Sequence, residues 1–305
     1  MAKDYFGTHS LPSGIDGDLL VCETWAKAIG TKAFDTALLS QVIMVPAASA
    51  FIQTEATTID DGDTYEEAVV TAETQYVFEQ TRVVLQTYRT SQSISNELIA
   101  DSTVAEFVQG VMASALAEKL NTAIATAISQ KVGATDRHHR EVTTGGTPTQ
   151  PILQQIIFGF PASSGGFTTG SNFTNAQRAR MLILSHGTTL GAFFLNSLNT
   201  ATNNVPFGFS SNQRGEVLYT SGIPWLTVSG MIANATQGTV LQPHILMVDA
   251  SAVTLAHQSL VVSIDTESQA AENVSVFHAS IRAAITLTSY KHAAGYSLRT
   301  IVGGE

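Results

Sequence analysis

Charged residues are scarce in this sequence. They make up 13% of its 305 residues, whereas about a quarter is usual for soluble domains. Acidic residues outnumber basic ones, 25 against 15, and the formal net charge at pH 7 is −10. Tight nucleic-acid binding needs basic patches that displace counterions, so this charge balance argues against it. So few charges suit a protein that packs against copies of itself, although a soluble monomer with a neutral surface has the same composition.

Cysteine and long apolar runs are nearly absent too. Cys22 is the only cysteine, which excludes an intrachain disulfide and a metal cluster built on thiolates. No apolar run approaches the roughly 18 residues that a membrane span requires, and residues 1–5 lack the apolar stretch of a signal peptide. We therefore expect a protein that is made in a cytoplasm, has no visible export signal and contacts no membrane.

Familiar catalytic motifs are missing as well. The sequence contains no G-x-S-x-G, no P-loop, no H-E-x-x-H and no G-x-G-x-x-G at a strand-to-helix turn. His138 and His139 could bind a metal, but adjacent histidines in a polar loop are more often solvent-exposed. Residues 16–18 and 61–63 (both Asp-Gly-Asp) resemble fragments of calcium loops without the further ligands, which favours tight turns. We predict no enzymatic activity, no cofactor and no metal site.

The most regular pattern in the chain is an apolar series in residues 102–128, which predicts one long helix. Its members recur at i, i+3, i+4 and i+7: Val104, Phe107, Val108, Val111, Met112, Ala115, Leu116, Leu120, Ala123, Ile124, Ala127 and Ile128. Thr103 and Glu106 can form a capping box, and Gly133 is a suitable end. The helix would be roughly 40 Å long, so an extended structure should lie along it.

Residues 46–90 predict two long antiparallel strands joined by a turn. The outgoing strand spans about residues 50–58, the turn is the Asp-Asp-Gly-Asp sequence at residues 60–63, and the return strand spans about residues 67–88. An isolated two-stranded ribbon is barely stable in water. The tip of this ribbon should therefore be supported by another chain.

The ribbon also concentrates negative charge. No Lys or Arg lies between Lys32 and Arg82, and residues 55–79 hold eight carboxylates: Glu55, Asp60, Asp61, Asp63, Glu66, Glu67, Glu73 and Glu79. A charge run usually marks a solvated face. The alternative is a docking surface for basic groups on a neighbouring chain, for which the candidates are Arg82, Arg89, Lys119, Lys131, Arg137 and Arg140.

The remaining segments predict a mixture of helices and strands. Residues 1–45 predict an irregular arm, broken by Pro and Gly, with a short helix over about residues 35–42. Residues 152–260 alternate short elements, with a helix predicted at 175–185 and strands at 192–195, 216–220, 225–228 and 244–248. Further strands are predicted at residues 260–264, 274–287 and 296–302.

The order of these parts resembles the major capsid protein of tailed bacteriophages, the Hong Kong 97-like family. Residues 93–102 (SISNELIADS) resemble the approach to that family's spine helix, and the Ala-rich residues 106–128 resemble the spine helix itself. Residues 222–228 (GIPWLTV), 247–251 (MVDAS) and 280–290 (SIRAAITLTSY) resemble later strands in the family's order. Together these stretches extend over nearly the whole chain.

The resemblance implies an α+β fold of the Hong Kong 97-like type, with five parts. They are an N-terminal arm (1–45), an extended β-hairpin loop or E-loop (46–90), a peripheral domain with the long spine helix and its following loop (91–150), an axial α/β domain (151–259), and returning strands of the peripheral domain (260–305). The E-loop residues expected to contact neighbouring subunits are Glu55, Asp60, Asp61, Gly62, Asp63, Glu66 and Glu67.

The resemblance further implies a structural protein that self-assembles as pentamers and hexamers into an icosahedral shell around the double-stranded DNA of a tailed phage. Its expected partners are copies of itself, a portal, and optional scaffolding and cement or decoration proteins, with loose, non-specific contact to DNA. Because the arm follows directly after Met1, we expect any scaffold to be a separate protein. The protein would be located in the virion after assembly in the bacterial host cytoplasm.

Other functions remain open at this point. An encapsulin-like compartment shares the fold and needs an inner groove for cargo peptides. A tail-tube subunit or another phage assembly protein is a third alternative, and an acidic hydrolase is the weakest because a nucleophile and base are missing. Electron microscopy separates them, since large shells with DNA indicate a capsid, small shells with protein inside indicate an encapsulin, and monomers indicate neither.

The lack of lysine in the ribbon predicts a shell without covalent links. Some relatives join subunits through a bond between an E-loop lysine and an asparagine on a neighbour, but no lysine lies between Lys32 and Lys119. A single Cys22 in a reducing cytoplasm also argues against a disulfide network. A denaturing gel of mature particles should therefore show one band at the monomer mass of 32.3 kDa. A ladder of multimers that survives boiling and reductant would contradict this prediction.

Overall fold

The computed structural model describes residues 15–36, 38–47, 50–59, 75–95, 102–133, 139–142, 180–198, 209–211, 218–220, 222–232, 244–265, 273–287 and 293–298. Within them the α-helices are α1 (Ile15–Phe34), α2 (Ser102–Gly133) and α3 (Gly187–Leu198). The strands are β1 (Ile43–Pro46), β2 (Ala50–Ile59), β3 (Gln75–Val84), β4 (Gln86–Ser95), β5 (His139–Val142), β6 (Met181–Ser185), β7 (Phe209–Ser211), β8 (Leu218–Thr220), β9 (Ile223–Thr227), β10 (Ile245–Asp249), β11 (Val253–His257), β12 (Val261–Asp265), β13 (Val274–Leu287) and β14 (Ala293–Leu298).

The long helix predicted from the apolar series is present as α2 and ends at Gly133. Its buried side chains recur at every fourth position: Val108, Met112, Leu116, Leu120, Ile124, Ile128 and Val132. Because four residues slightly exceed one turn of 3.6 residues, this row winds gradually around the helix, so different sides of α2 face the core along its length. Together with residues of α1 and of both larger sheets, the row forms one continuous hydrophobic core.

The prediction of an irregular arm over residues 1–45 is wrong for residues 15–34, which form α1. Trp25, Ile29 and Ala33 are buried in the core, and the Trp25 ring stacks on Phe277 with centroids 4.6 Å apart. Two glycines inside the segment suggested a break, but packing of the buried face outweighs the small helix penalty of glycine. A short helix was predicted over residues 35–42, but residues 35–36 and 38–42 form turns and bends instead, and residue 37 is outside the described residues. Residues 1–14 lie outside the described part of the chain.

A five-stranded sheet is built on the predicted strand Val274–Leu287, here β13. Strand β4 pairs antiparallel along one edge of β13, while β12 and β11 pair antiparallel with successive halves of the other edge. Strand β1 adds to β11 in parallel. Helices α1 and α2 pack on this sheet and bury its apolar residues.

A seven-stranded sheet has the order β5-β14-β10-β6-β9-β8-β7. Its centre is apolar, because all five residues of both β6 and β10 are buried. The strands predicted at residues 216–220, 225–228 and 244–248 correspond to β8, β9 and β10 within a few residues. Together with helix α3, these strands give the described part of residues 152–260 the mixture of short helices and strands that the sequence predicted.

Two predictions within this region are wrong. The helix predicted at residues 175–185 is strand β6 over Met181–Ser185, and the strand predicted at residues 192–195 lies inside helix α3. Both segments are short apolar runs, for which periodicity does not separate a buried strand from a buried helix. A local helix signal does precede α3, since Nδ1 of His186 accepts a hydrogen bond from the backbone N–H of Thr188.

Each sheet combines strands from distant segments of the chain. Strand β14 follows β13 in sequence but pairs with β10 and β5 in the seven-stranded sheet. Strand β11 follows β10 in sequence but pairs with β13 and β1 in the five-stranded sheet. The chain thus crosses between the two sheets more than once, and the five-part division of the chain stays a prediction.

The predicted ribbon is confirmed as an antiparallel pair of β2 and β3, with Ala50 opposite Val84 and Ile59 opposite Gln75. Residues 60–74 connect the two strands and lie outside the described residues, so the turn at residues 60–63 stays a prediction. The predicted return strand is also divided, because β3 ends at Val84 and β4 begins at Gln86. Between them Leu85 is buried against Ala256 and Ala284, which fixes the base of the ribbon to the five-stranded sheet.

The turn after β9 meets α2 at very short range. The Ser229 hydroxyl donates a 2.6 Å hydrogen bond to Oε1 of Glu118. A Cβ added to Gly230 would lie 2.8 Å from Cβ of Thr122 and closer still to the rest of that side chain. Real Cβ atoms do not approach so closely, so only glycine fits between the seven-stranded sheet and α2 at this position.

Replacing Gly230 by Ala should lower the free energy of unfolding of the unassembled protein by about 1–3 kcal/mol, because the methyl group forces α2 and the turn apart. Gly110→Ala is the matched control, since no atom lies within 4 Å of the added Cβ. That substitution should raise stability by up to about 1 kcal/mol, as alanine favours helix. Denaturant unfolding measures the stability of both variants. An unchanged unfolding midpoint for Gly230→Ala would contradict the close contact between Gly230 and Thr122 as the reason for glycine at this position.

Candidate assembly surface

The acidic residues predicted to contact neighbours lie mainly in the connection between β2 and β3. Asp60, Asp61, Gly62, Asp63, Glu66 and Glu67 are outside the described residues, so their contacts stay a prediction. Glu55 lies in β2 directly opposite Glu79 in β3. Like charges that face each other across a strand pair are destabilising, so this pair weakens an isolated ribbon and favours a neighbour that supplies positive charge.

The structure separates the predicted basic partners. Arg82 and Arg89 are exposed on β3 and β4, Lys131 is half-buried in the last turn of α2, and Arg140 lies on β5 in the seven-stranded sheet. Arg137 is outside the described residues. Arg89 and Lys119 are brought together, because the Lys119 ammonium donates a hydrogen bond to the Arg89 backbone carbonyl. Lys119 therefore has a partner within its own chain, which leaves the exposed Arg82 and Arg89 as better candidates for a neighbour.

Sequence reasoning missed an ion pair at the end of β10. Arg180 Nη2 lies 3.3 Å from Oδ2 of Asp249, whose side chain is almost completely buried. The backbone N–H and the hydroxyl of Ser251 also donate to Asp249. These bonds satisfy the buried carboxylate and hold the turn that follows β10, so we assign this cluster a structural role.

A groove of about 930 Å³ opens between α2, the junction of β3 and β4, β13 and the turn after β9. The α2 residues that line it are mostly small: Ala115, Glu118, Lys119, Thr122, Ala123, Thr126, Ala127 and Gln130. Val83, Val84, Tyr88 and Ile285 contribute apolar side chains from the sheet side. The groove is therefore walled by a helix and strands, and its lining mixes small apolar side chains with polar ones.

The groove is close to electrically neutral. Its two charged side chains already have partners, since Glu118 accepts from Ser229 and Lys119 donates to Arg89. Burial raises the pKa of the Tyr88 hydroxyl above its ordinary value near 10, which keeps it uncharged at physiological pH. An apolar group is therefore better suited to this groove than a carboxylate.

Several large apolar side chains remain on the surface. Phe107 is 71% exposed and Val111 40% exposed, although the predicted stripe placed both in the core. Val84 at the lip of the groove is 63% exposed, and Val261 at the start of β12 is 59% exposed. The sequence could not separate these residues from the core, because a wide apolar stripe contains both buried and surface positions.

The described part of the chain offers little for other kinds of site. No helix in it is long and apolar enough to cross a membrane. Over the same residues, no group of three or more His, Cys, Asp or Glu side chains could hold a metal ion. His139 lies in β5, whereas His138 is outside the described residues.

The described residues thus form a long helix that packs against two sheets, with a two-stranded ribbon held at the five-stranded one. The sequence model of the phage capsid family matches residues 17–296. The chain belongs to the phage capsid family. A search of curated protein sequences finds no significant match.

Solved structures show the same fold at low sequence identity. The capsid of a native GTA particle, computed with C5 symmetry, is 15% identical with a TM-score of 0.60, and the match covers 88% of this chain and 90% of that chain. A structure from Mycobacterium phage Bobi is 13% identical with a TM-score of 0.53, covering 88% and 90%. The holo-SrpI encapsulin complex from Synechococcus elongatus PCC 7942 is 12% identical with a TM-score of 0.54, covering 88% and 89%.

These comparisons confirm the predicted α+β fold of the Hong Kong 97-like type. Membership of the capsid family makes the chain a structural shell protein that associates with copies of itself and is located in the capsid of a virion. The surfaces that matter for its function are therefore those that contact other copies.

The acidic connection of the ribbon should contribute to those contacts. Changing Asp60, Asp61 and Asp63 together to Asn should impair assembly or lower the melting temperature of the shell. The reason is that an ion pair at a partly buried interface stabilises more than an exposed ion pair, which contributes 0 to about 1 kcal/mol. Arg89→Glu tests the proposed partner, and the exposed Glu106→Gln is a control that removes one charge from α2. Assembly and melting that are unchanged at every salt concentration would leave only a solvated acidic face.

Proposed function

We propose that this chain is the major capsid protein of a tailed phage, and that it forms the pentamers and hexamers of an icosahedral shell around double-stranded DNA. The observation that carries the proposal is the family match over residues 17–296, on a fold similar to that of solved capsid structures. The low charge content and the acidic ribbon support it, since both suit a protein whose surfaces are covered by neighbours.

The physical requirements of such a shell agree with the chain. Heterologous contacts, in which different patches of two copies meet, close into rings around symmetry axes. The β2–β3 ribbon is a two-stranded element with like charges in register, so it gains most from a neighbouring copy that covers it. The burial of Leu85 at its base holds the ribbon at a fixed place on the sheet, which lets it reach outward in a defined direction.

The proposed contact with DNA follows from the net charge of the chain, and the proposed partner proteins and place of assembly follow from its family. A net charge of −10 favours loose, non-specific contact with packaged DNA, because a negative lining repels phosphates and lets the DNA move during filling. A portal, a separate scaffolding protein and a cement or decoration protein are proposed partners. Assembly is proposed to take place in the host cytoplasm.

The encapsulin alternative is kept because a specific observation favours it. The encapsulin complex from Synechococcus elongatus has a TM-score of 0.54 with this chain, which is as high as that of several phage structures. An encapsulin-like shell would enclose protein cargo in place of DNA. The fold does not distinguish the two functions, since capsid proteins and encapsulins both build closed shells.

Expression of the chain in bacteria, followed by purification and negative-stain electron microscopy, tests the proposal. We expect closed icosahedral shells with pentameric and hexameric capsomers, and nuclease-protected DNA when packaging components are supplied. Co-expression with the neighbouring genes of its own locus is the control for a required scaffold. Small shells that carry a protein cargo would support the encapsulin alternative, and a compact monomer at high concentration under both conditions would contradict both.

A further inference from the structure

An exposed apolar pair of residues and the groove of about 930 Å³ both lie along helix α2. Phe107 and Val111 are four residues apart on α2 and therefore on one face of it, where they form an exposed apolar knob. The groove described above begins at Ala115 and follows α2 as far as Gln130. The apolar projection and the groove therefore lie at different positions along the same helix, α2.

The recess matches such a projection in size and chemistry. A volume of about 930 Å³ is within the range of about 300–1,000 Å³ that is usual for binding pockets. Its α2 floor carries alanine side chains at 115, 123 and 127, which leave room for a bulky ring. Because Glu118 and Lys119 are already paired, an entering apolar side chain displaces water without separating a charge from its partner.

Phe107 cannot occupy the groove of its own chain. It precedes Ala115 by eight residues, which is about 12 Å along a straight helix, and it precedes the middle of the groove at Thr122 by about 22 Å. A continuous helix from Ser102 to Gly133 fixes this separation. A Phe107 side chain that enters the groove must therefore come from a second molecule, and the family to which the chain belongs makes another copy of the chain the natural source.

We propose that the Phe107–Val111 knob of one copy inserts into the α2 groove of the next copy, and that this head-to-tail contact is one of the interfaces of the shell. The inference rests on the proposed function, because it requires self-assembly. A contact between two different patches is heterologous, so repetition of it generates rings when the rotation between copies closes. Buried aromatic anchors often carry a large share of interface affinity.

A second recess lies where β1 and β11 end and β12 begins. It measures about 500 Å³ and is lined by Pro46, Ala47, His257, Gln258, Ser259 and Val261. His257 already contacts the Phe34 ring and the Gln258 carbonyl. This recess is about half the size of the α2 groove and is similarly polar, so it serves as the control position.

Three single variants test the contact. Phe107→Ser removes the knob, Thr126→Trp fills the groove from an exposed position of α2, and Val261→Ser removes an exposed apolar residue beside the control recess. Val84→Ser at the lip of the groove is a second groove variant in case the tryptophan disturbs folding. Circular dichroism and thermal melting check that each variant is folded. Sedimentation velocity then measures association at a concentration at which the original protein assembles.

We expect Phe107→Ser and Thr126→Trp each to weaken association at least about tenfold, whereas Val261→Ser associates as the original protein does. An equimolar mixture of the first two gives the sharpest result. The Thr126→Trp copy still supplies a knob and the Phe107→Ser copy still supplies a groove, so the mixture should regain this contact once per pair and associate more strongly than either variant alone.

Normal association of folded Phe107→Ser, or of folded Thr126→Trp and Val84→Ser, would overturn the proposal. Equal loss of association in Val261→Ser would also overturn it, because assembly would then respond to any exposed apolar side chain. Failure of the original protein to assemble under every condition would instead contradict the proposed function, so the two failures are distinguishable.

Discussion

The fold depends on the burial of a long row of apolar side chains on helix α2. Leu116, Leu120 and Ile124 at its centre are completely buried, and each such side chain contributes about 1.5–3 kcal/mol through the hydrophobic effect. The five-stranded sheet, the seven-stranded sheet and α1 all place residues in the same core. Because both sheets share this one helix, their relative position is set by the side chains of α2 and by the close approach of Gly230 to it.

The few charges near α2 are used within the chain. Glu118 joins the helix to the turn after β9, and Lys119 joins it to β4. Along the groove α2 therefore offers other molecules only charges that already have partners, whereas Glu106 near its start is an exposed charge and the ribbon is acidic. With this distribution we expect two chemically distinct kinds of contact between copies, one that responds to salt at the ribbon and one that depends on apolar burial along the helix.

The candidate surfaces were only partly accessible from the sequence. The run of carboxylates without basic residues is a local feature, so it was visible at once. The exposure of Phe107 was not visible in the sequence. A periodic apolar pattern shows which face of the helix a residue occupies, but it does not show how far along the helix the rest of the protein covers that face. The groove was invisible as well, since its walls come from residues as distant in sequence as Val84, Thr122, Gly230 and Ile285.

By itself the sequence determined helix α2 and strand β13, because each has a long pattern whose period is set by residues close in the chain. Only the tertiary structure decided that residues 15–34 form a helix, that Met181–Ser185 is a strand, and that β14 joins β10. Short apolar runs adopt the conformation that buries them best. That choice, like the register of the ribbon, depends on partners far away in the sequence, whose pairing energy no local pattern records.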